Sequence, residues 1–224
     1  MKIRAIIFGS SGMIGQGVLM ECLESPEVES ILIINRSPGN VKHSKLKEIV
    51  HKDFSDFSSL SAEFAGYNSC FFCLGISAVG LSENEYYKTT FELTIRVAEA
   101  LLKANKDFTF CYISGASTDS SENGKMMWAR VKGKTENTLL AMPFKQVYMF
   151  RPGYIQPLKG IKSRTKLYNA IYFIFKPLYF ILKPFKGMVT DTSSMGKSMI
   201  QTALHGYEKK ILESSDINKV SKAE

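Results

Sequence analysis

Short, almost wholly apolar runs alternate along the chain with longer stretches in which apolar residues recur every three or four positions. Ile3 to Phe8, Ser30 to Ile34, Lys47 to Lys52, Ser69 to Leu74, Phe108 to Ile113 and Gln146 to Phe150 predict strands, and the most apolar of them predict strands buried on both faces. Met13 to Glu24, Glu83 to Asn105 and Lys125 to Met142 predict helices; in the second, Phe91, Ile95, Ala98, Leu101 and Leu102 form one stripe. Thr190 to Leu204 predicts a last helix with Thr192 or Ser193 as its N-cap, Tyr207 to Leu212 an edge strand, and Ser214 onward a polar tail. Strands alternating with helices predict an α/β fold: a doubly wound parallel sheet with right-handed connections. Such sheets carry their chemistry at the carboxyl ends of the strands. The turns after Phe8, Ile34, Leu74, Ile113 and Phe150 then share one edge. At 224 residues, 45% hydrophobic, residues 1–224 suffice for a single such domain with a small C-terminal lobe.

The first of these turns has a composition of its own. Gly9-Ser10-Ser11-Gly12-Met13-Ile14-Gly15 joins a strand to a helix, the context of a dinucleotide-binding loop. Gly9 permits the sharp turn, Gly12 leaves room for a pyrophosphate, and Gly15 lets the helix sit close to the strand. The helix N–H groups and dipole then face the phosphates. The spacing is G-x-x-G-x-x-G, which a plain tight turn also satisfies, so the other strand ends decide. The second strand ends in Asn35-Arg36-Ser37 with no acid to bond both ribose hydroxyls. Arg36 there pairs with a 2′-phosphate, which predicts NADP(H) as the preferred cofactor and NAD(H) as the second candidate; otherwise it is a solvated surface arginine. Asp53 and Phe54 follow the third strand, Leu74 and Gly75 end the fourth, and Arg151-Pro152-Gly153 end the sixth. All are candidate cofactor ligands with Ser10, Ser11, Met13, Ile14 and Ser37.

Charge and cysteine content narrow the picture. The net charge of +8 arises in one segment: residues 151–197 hold nine basic side chains and one acid, whereas residues 1–150 hold 16 of each. The excess therefore belongs to a local surface. The four cysteines lie in apolar runs, and Cys70 and Cys73 on one strand point to opposite faces, so no metal site is expected and buried reduced thiols are. With the chain entering a strand directly, a cytoplasmic location is expected.

The glycine loop, Cys73-Leu74-Gly75, Ser114, the position four before Lys132, and Arg151-Pro152-Gly153 resemble the atypical and extended short-chain dehydrogenase/reductases. The branch is that of small NAD(P)H-binding, epimerase-like proteins related to the Tat-interacting oxidoreductase-like protein. The resemblance spans nearly the whole chain and implies a Rossmann-type sheet. It also implies a serine holding the substrate oxygen (Ser114 or Ser117), a tyrosine exchanging its proton, and a lysine, Lys132, one helical turn on, holding the nicotinamide ribose. The chain departs from that pattern at the tyrosine position, which is Trp128; an indole N–H donates a hydrogen bond but is no proton donor near neutrality. Tyr154 is the nearest substitute. Ser114, Ser117 and Lys132 remain the catalytic candidates, with turn capping and an exposed basic stretch as their plainer explanations.

Tyr168 to Phe185, YNAIYFIFKPLYFILKPF, has two apolar runs broken by Lys-Pro pairs, each too short to span a bilayer. The resemblance places a substrate lobe over residues 154–190, which reads this stretch as the wall of an apolar pocket. Its rings and lysines equally suit a peripheral membrane contact through residues 166–186, at the inner face of a membrane. A polar nucleic-acid surface is not expected. The expected activity is an NADP(H)-dependent oxidoreductase acting on a small-molecule or lipid-like carbonyl, as a monomer or homodimer. The alternative is a non-catalytic NADP(H) sensor.

Overall fold

The computed structural model describes residues 2–161 and 187–223. The stretch from Tyr168 to Phe185, and with it most of the substrate-lobe segment, lies outside the described residues.

Seven strands form one sheet in the order β3-β2-β1-β4-β5-β6-β9. They are β1 (Ile3–Phe8), β2 (Val28–Asn35), β3 (Leu46–Val50), β4 (Ser69–Phe72), β5 (Thr109–Ile113), β6 (Gln146–Arg151) and β9 (Ile211–Glu213). Every neighbouring pair runs parallel. Strand order reverses between β2 and β4, on either side of β1, so a crevice opens at the carboxyl end of β1.

Alternation along the strands divides the core between two faces. Ile3, Ala5 and Ile7, with Phe71, Cys111, Ile113, Tyr148 and Phe150, pack on one side against helices α1 (Met13–Glu24), α6 (Thr192–His205) and α7 (Ser214–Val220). Ile6 and Phe8, with Phe72, Phe110, Tyr112 and Met149, pack on the other against α2 (Ser61–Ala65), α4 (Leu93–Ala104) and α5 (Met127–Ala141). Cys70 belongs to the second face and Cys73 packs against the first, as expected for residues three apart on a strand.

Several elements differ from the sequence expectation. The helix from Glu83 begins as α3 (Glu83–Tyr87), capped by the Ser82–Glu85 box, but its next turn, Lys88–Glu92, is widened to π geometry before α4 continues. The N-cap of α6 is Asp191, not Thr192 or Ser193: its carboxylate accepts the Ser194 N–H at 2.7 Å, while the Thr192 hydroxyl accepts the Leu158 N–H at 3.0 Å. The supposed polar tail is α7, because Ile217 and Val220, three apart, are buried on the first face of the sheet. A second, two-stranded parallel sheet, β7 (Tyr154–Gln156) with β8 (Val189–Asp191), flanks the segment outside the described residues.

Candidate functional site

The glycine loop is built by backbone contact. Gly9 has φ +81°, and its carbonyl accepts the Gly12 N–H at 2.9 Å. A Cβ at Gly9 would lie 2.8 Å from the Cys73 carbonyl, and one at Gly15 would lie 2.1 Å from the Gly9 oxygen. Both glycines are therefore imposed by packing of the loop on β4 and on α1. Among the described residues, the only neighbour a Cβ at Gly12 would meet is the Gly9 oxygen at 3.4 Å, which leaves this position open. Helix α1 starts there with no side-chain cap and no acid in its first turn. Its uncapped N–H groups and positive dipole end form the chemistry of an anion seat.

Around that seat lies a cleft of about 510 Å³ lined by Gly9, Ser11, Gly12, Met13, Arg36, Phe54, Leu74 and Gly75 of the expected ligands. Cys73, Ile76, Ser77, Thr89 and Leu93 also line it and were not anticipated. Phe54 stands edge-on to Phe57 with ring centroids 5.4 Å apart, which fixes it on the core below. The others sit behind or beside the cleft. Ser10 is buried and donates to Asn35 Oδ1 at 2.9 Å, Ile14 packs on the core, and Ser37 is exposed beside Arg36. Asp53 accepts the Ser55 hydroxyl and the Ser55 N–H, which together hold its carboxyl below the usual range.

Arg151-Pro152-Gly153 is a structural joint away from the cleft lining. The Arg151 guanidinium makes a forked contact with Glu136, whose side chain is 0% exposed, and donates to Ser120 Oγ at 2.6 Å. The Pro152 carbonyl accepts the Ala116 N–H at 2.9 Å, and the Gly153 N–H reaches Ser214 Oγ at 2.9 Å.

A second group gathers at the carboxyl end of β5. Lys132 Nζ donates to the Ile113 carbonyl at 3.2 Å and stands 5.2 Å from the centre of the Tyr112 ring. Burial pulls its ammonium down to about 8, against the opposing influence of Glu136 one turn on. Ser114 is buried and shares a 2.9 Å hydrogen bond with the Thr118 hydroxyl; Ser117 is exposed with φ +66°. Of the two serines, Ser114 is the one adjoining the lysine's anchor. The Trp128 ring lies over this turn, 3.9 Å from where a Cβ on Gly115 would be. Tyr154, the candidate substitute acid, donates its hydroxyl to Gln156 Oε1 at 2.9 Å within the small sheet, and burial raises its phenol.

A strand–glycine–helix anion seat at the switch point of a parallel sheet, with a lysine at the end of β5, defines a nucleotide-binding oxidoreductase or epimerase class. Residues 5–128 match the model of the NAD dependent epimerase/dehydratase family, and the chain belongs to that family. Among its relatives is Protein FMP52, mitochondrial, of Meyerozyma guilliermondii, 25% identical over 68% of this chain and 65% of its own length. The match thus spans just under two thirds of that relative. Solved structures with the same fold include the Bordetella bronchiseptica enzyme WbmG in complex with NAD (TM-score 0.68, 16% identity, 99% of this chain and 76% of that one). Another is Gre2 from Candida albicans in complex with NADPH (TM-score 0.67, 14% identity, 94% and 78%). The resemblance read from the motifs is borne out at the level of family and fold.

One expectation is corrected. FMP52 proteins of Scheffersomyces stipitis, Aspergillus terreus and Saccharomyces cerevisiae also match, and all are named mitochondrial, which overturns the cytoplasmic location. That expectation rested on an N-terminus entering a strand directly, which does not determine the compartment. Among the described residues, no helix is long and apolar enough to cross a membrane.

Proposed function

We propose that this chain is an NADP(H)-dependent oxidoreductase of the atypical short-chain type, acting on a small or lipid-like carbonyl. The observation that carries the reading is the uncapped start of α1 at an open Gly12, in one cleft with Arg36. When bound, NADP(H) supplies or accepts a hydride. The chain's own residues do the rest. The α1 amides hold the pyrophosphate, Arg36 pairs with the 2′-phosphate, Phe54 borders the adenine end, and Lys132 donates to the nicotinamide ribose. Ser114 holds the substrate oxygen. Ile76 and Val79 stand 47% and 86% exposed beyond β4, and Met126 51% exposed ahead of α5; apolar groups along this edge fit a hydrophobic substrate. The mitochondrial names of its relatives support a mitochondrial setting.

A second reading, a non-catalytic NADP(H) sensor, draws support from Trp128, whose indole occupies the turn carrying Ser114 and supplies no labile proton. Steady-state NADPH consumption across a panel of aldehydes, ketones and quinones separates the two. Turnover with any member supports the enzyme. Tight NADPH binding with no turnover across the panel supports the sensor.

A further inference from the structure

We propose that Glu48, on β3, is a positioning residue for coenzyme selectivity: it holds the turn after β2 in the shape that presents Arg36 to a 2′-phosphate. The proposal rests on the NADP(H) reading above.

A relay of hydrogen bonds ties three parts of the adenosine end together. One oxygen of Glu48, Oε1, accepts the side-chain amide of Asn35 at 2.7 Å and the backbone N–H of Gly39 at 2.9 Å. Asn35 Oδ1 in turn accepts the hydroxyl of Ser10, in the glycine loop, at 2.9 Å. Asn35 and Ser10 are 8% and 4% exposed, so the bond between them is made out of water; the Asn35–Glu48 bond is half-buried and the Gly39 bond lies at the surface.

Two consequences follow for the ribose. An acid at the end of β2 bonds both ribose hydroxyls and selects NAD. Here that position is Asn35, and both ends of its side-chain amide are turned inward onto Ser10 and Glu48. The nearby carboxylate, Glu48, lies one strand further out, opposite Ile33 in the sheet, with Oε1 engaged by two donors. The chain thus carries an acid near the ribose but uses it to shape the turn.

The turn itself is suited to this anchor. Pro38 has no N–H, so Gly39 provides the first backbone donor beyond Ser37, and it points at Glu48. A Cβ on Gly39 would come within 3.2 Å of Glu48 Oε1, so a glycine lets the backbone approach. Drawn in at both ends, the turn leaves Arg36 exposed, lining the cleft, with no ion-pair partner among the described residues. A 2′-phosphate at Arg36 meets a guanidinium on a turn that is already anchored and need not reorganise to bind it.

The test is calorimetric titration of the full chain with NADPH and with NADH, which differ only in the 2′-phosphate. Wild-type protein is expected to bind NADPH at least about tenfold tighter, the scale of one charge-assisted phosphate contact, and Arg36→Ala to lose that preference. Glu48→Ala is expected to reduce the NADPH-to-NADH affinity ratio at least about fivefold, the loss falling on NADPH. Glu48→Gln, whose Oε1 still accepts both N–H groups, is expected to keep the ratio. Asn35→Ala removes the same link without placing an acid at the end of β2, and is expected to lower the ratio even if Glu48→Ala does not fold. An unchanged ratio in the soluble members of this pair, or equal loss for both nucleotides, overturns the role of Glu48 alone. Wild-type protein that binds neither nucleotide, or binds both equally, overturns the NADP(H) reading and this proposal with it.

Discussion

The carbonyl oxygen of Gly9 occupies the space directly above Gly15, 2.1 Å from where a Cβ would be placed. One contact therefore sets the height of α1 against β1 and so the position of the amides that face the cleft. Gly15→Ala is expected to destabilise the protein by at least about 1–3 kcal/mol through overpacking, and to weaken NADPH binding. Among the described residues, Gly12→Ala meets one neighbour, at 3.4 Å, and is expected to spare stability while still weakening NADPH binding. Chemical denaturation beside calorimetry separates the two variants.

The buried pair Glu136 and Arg151 joins α5 to β6, and Glu136 is one turn from Lys132. Glu136→Ala leaves the Arg151 guanidinium without its main partner in a half-buried site. The expected cost is about 3–5 kcal/mol, measured by urea unfolding. A cost under about 1 kcal/mol contradicts the assignment of Arg151 to structure.

Lys132 gives a pH signature. Its amine sits at about 8 in the fold, against an ordinary value of 10.5. Between those values the unfolded chain still holds a proton that the folded chain has released, so stability gained from this residue rises with pH across that window. Below about 8 both states are protonated and the burial cost is felt in full. Lys132→Met is expected to lack this component, seen as a difference between the two proteins' unfolding free energies that narrows or reverses from pH 7.5 to 10.5.

Much of this was legible in the sequence, and the gaps have physical reasons. Helix α1 runs from Met13 to Glu24 as its apolar spacing indicates, and the parallel order of the sheet follows from strand–helix alternation. Eight expected ligands line one cleft because strand ends in a parallel sheet converge on one edge. The three-residue strands β7 and β8 are too short to show a period. The π turn at Lys88–Glu92 leaves no mark on composition, though it brings Thr89 to the cleft. Arg151 read as a ligand because its partner, Glu136, lies fifteen residues away on another element. Glu48 was silent for the same reason: its two donors come from the β2 turn, and only the sheet register makes them neighbours.

Trp128 stands where the family resemblance implies a tyrosine. Trp128→Tyr is expected to restore a proton donor and raise carbonyl reduction by about 100-fold or more, the usual scale of general acid catalysis. No gain with any substrate that turns over indicates that Ser114 and Lys132 do not hold a carbonyl beside this position.

The most direct measurement uses the same indole, the only tryptophan of the chain. If NADPH lies in the cleft with its nicotinamide toward Lys132, titration quenches Trp128 emission and transfers excitation to the reduced ring, with NADH acting at higher concentration. Unchanged tryptophan emission with both nucleotides at millimolar concentration contradicts the placement of Arg36, Gly12 and Lys132 around one bound cofactor.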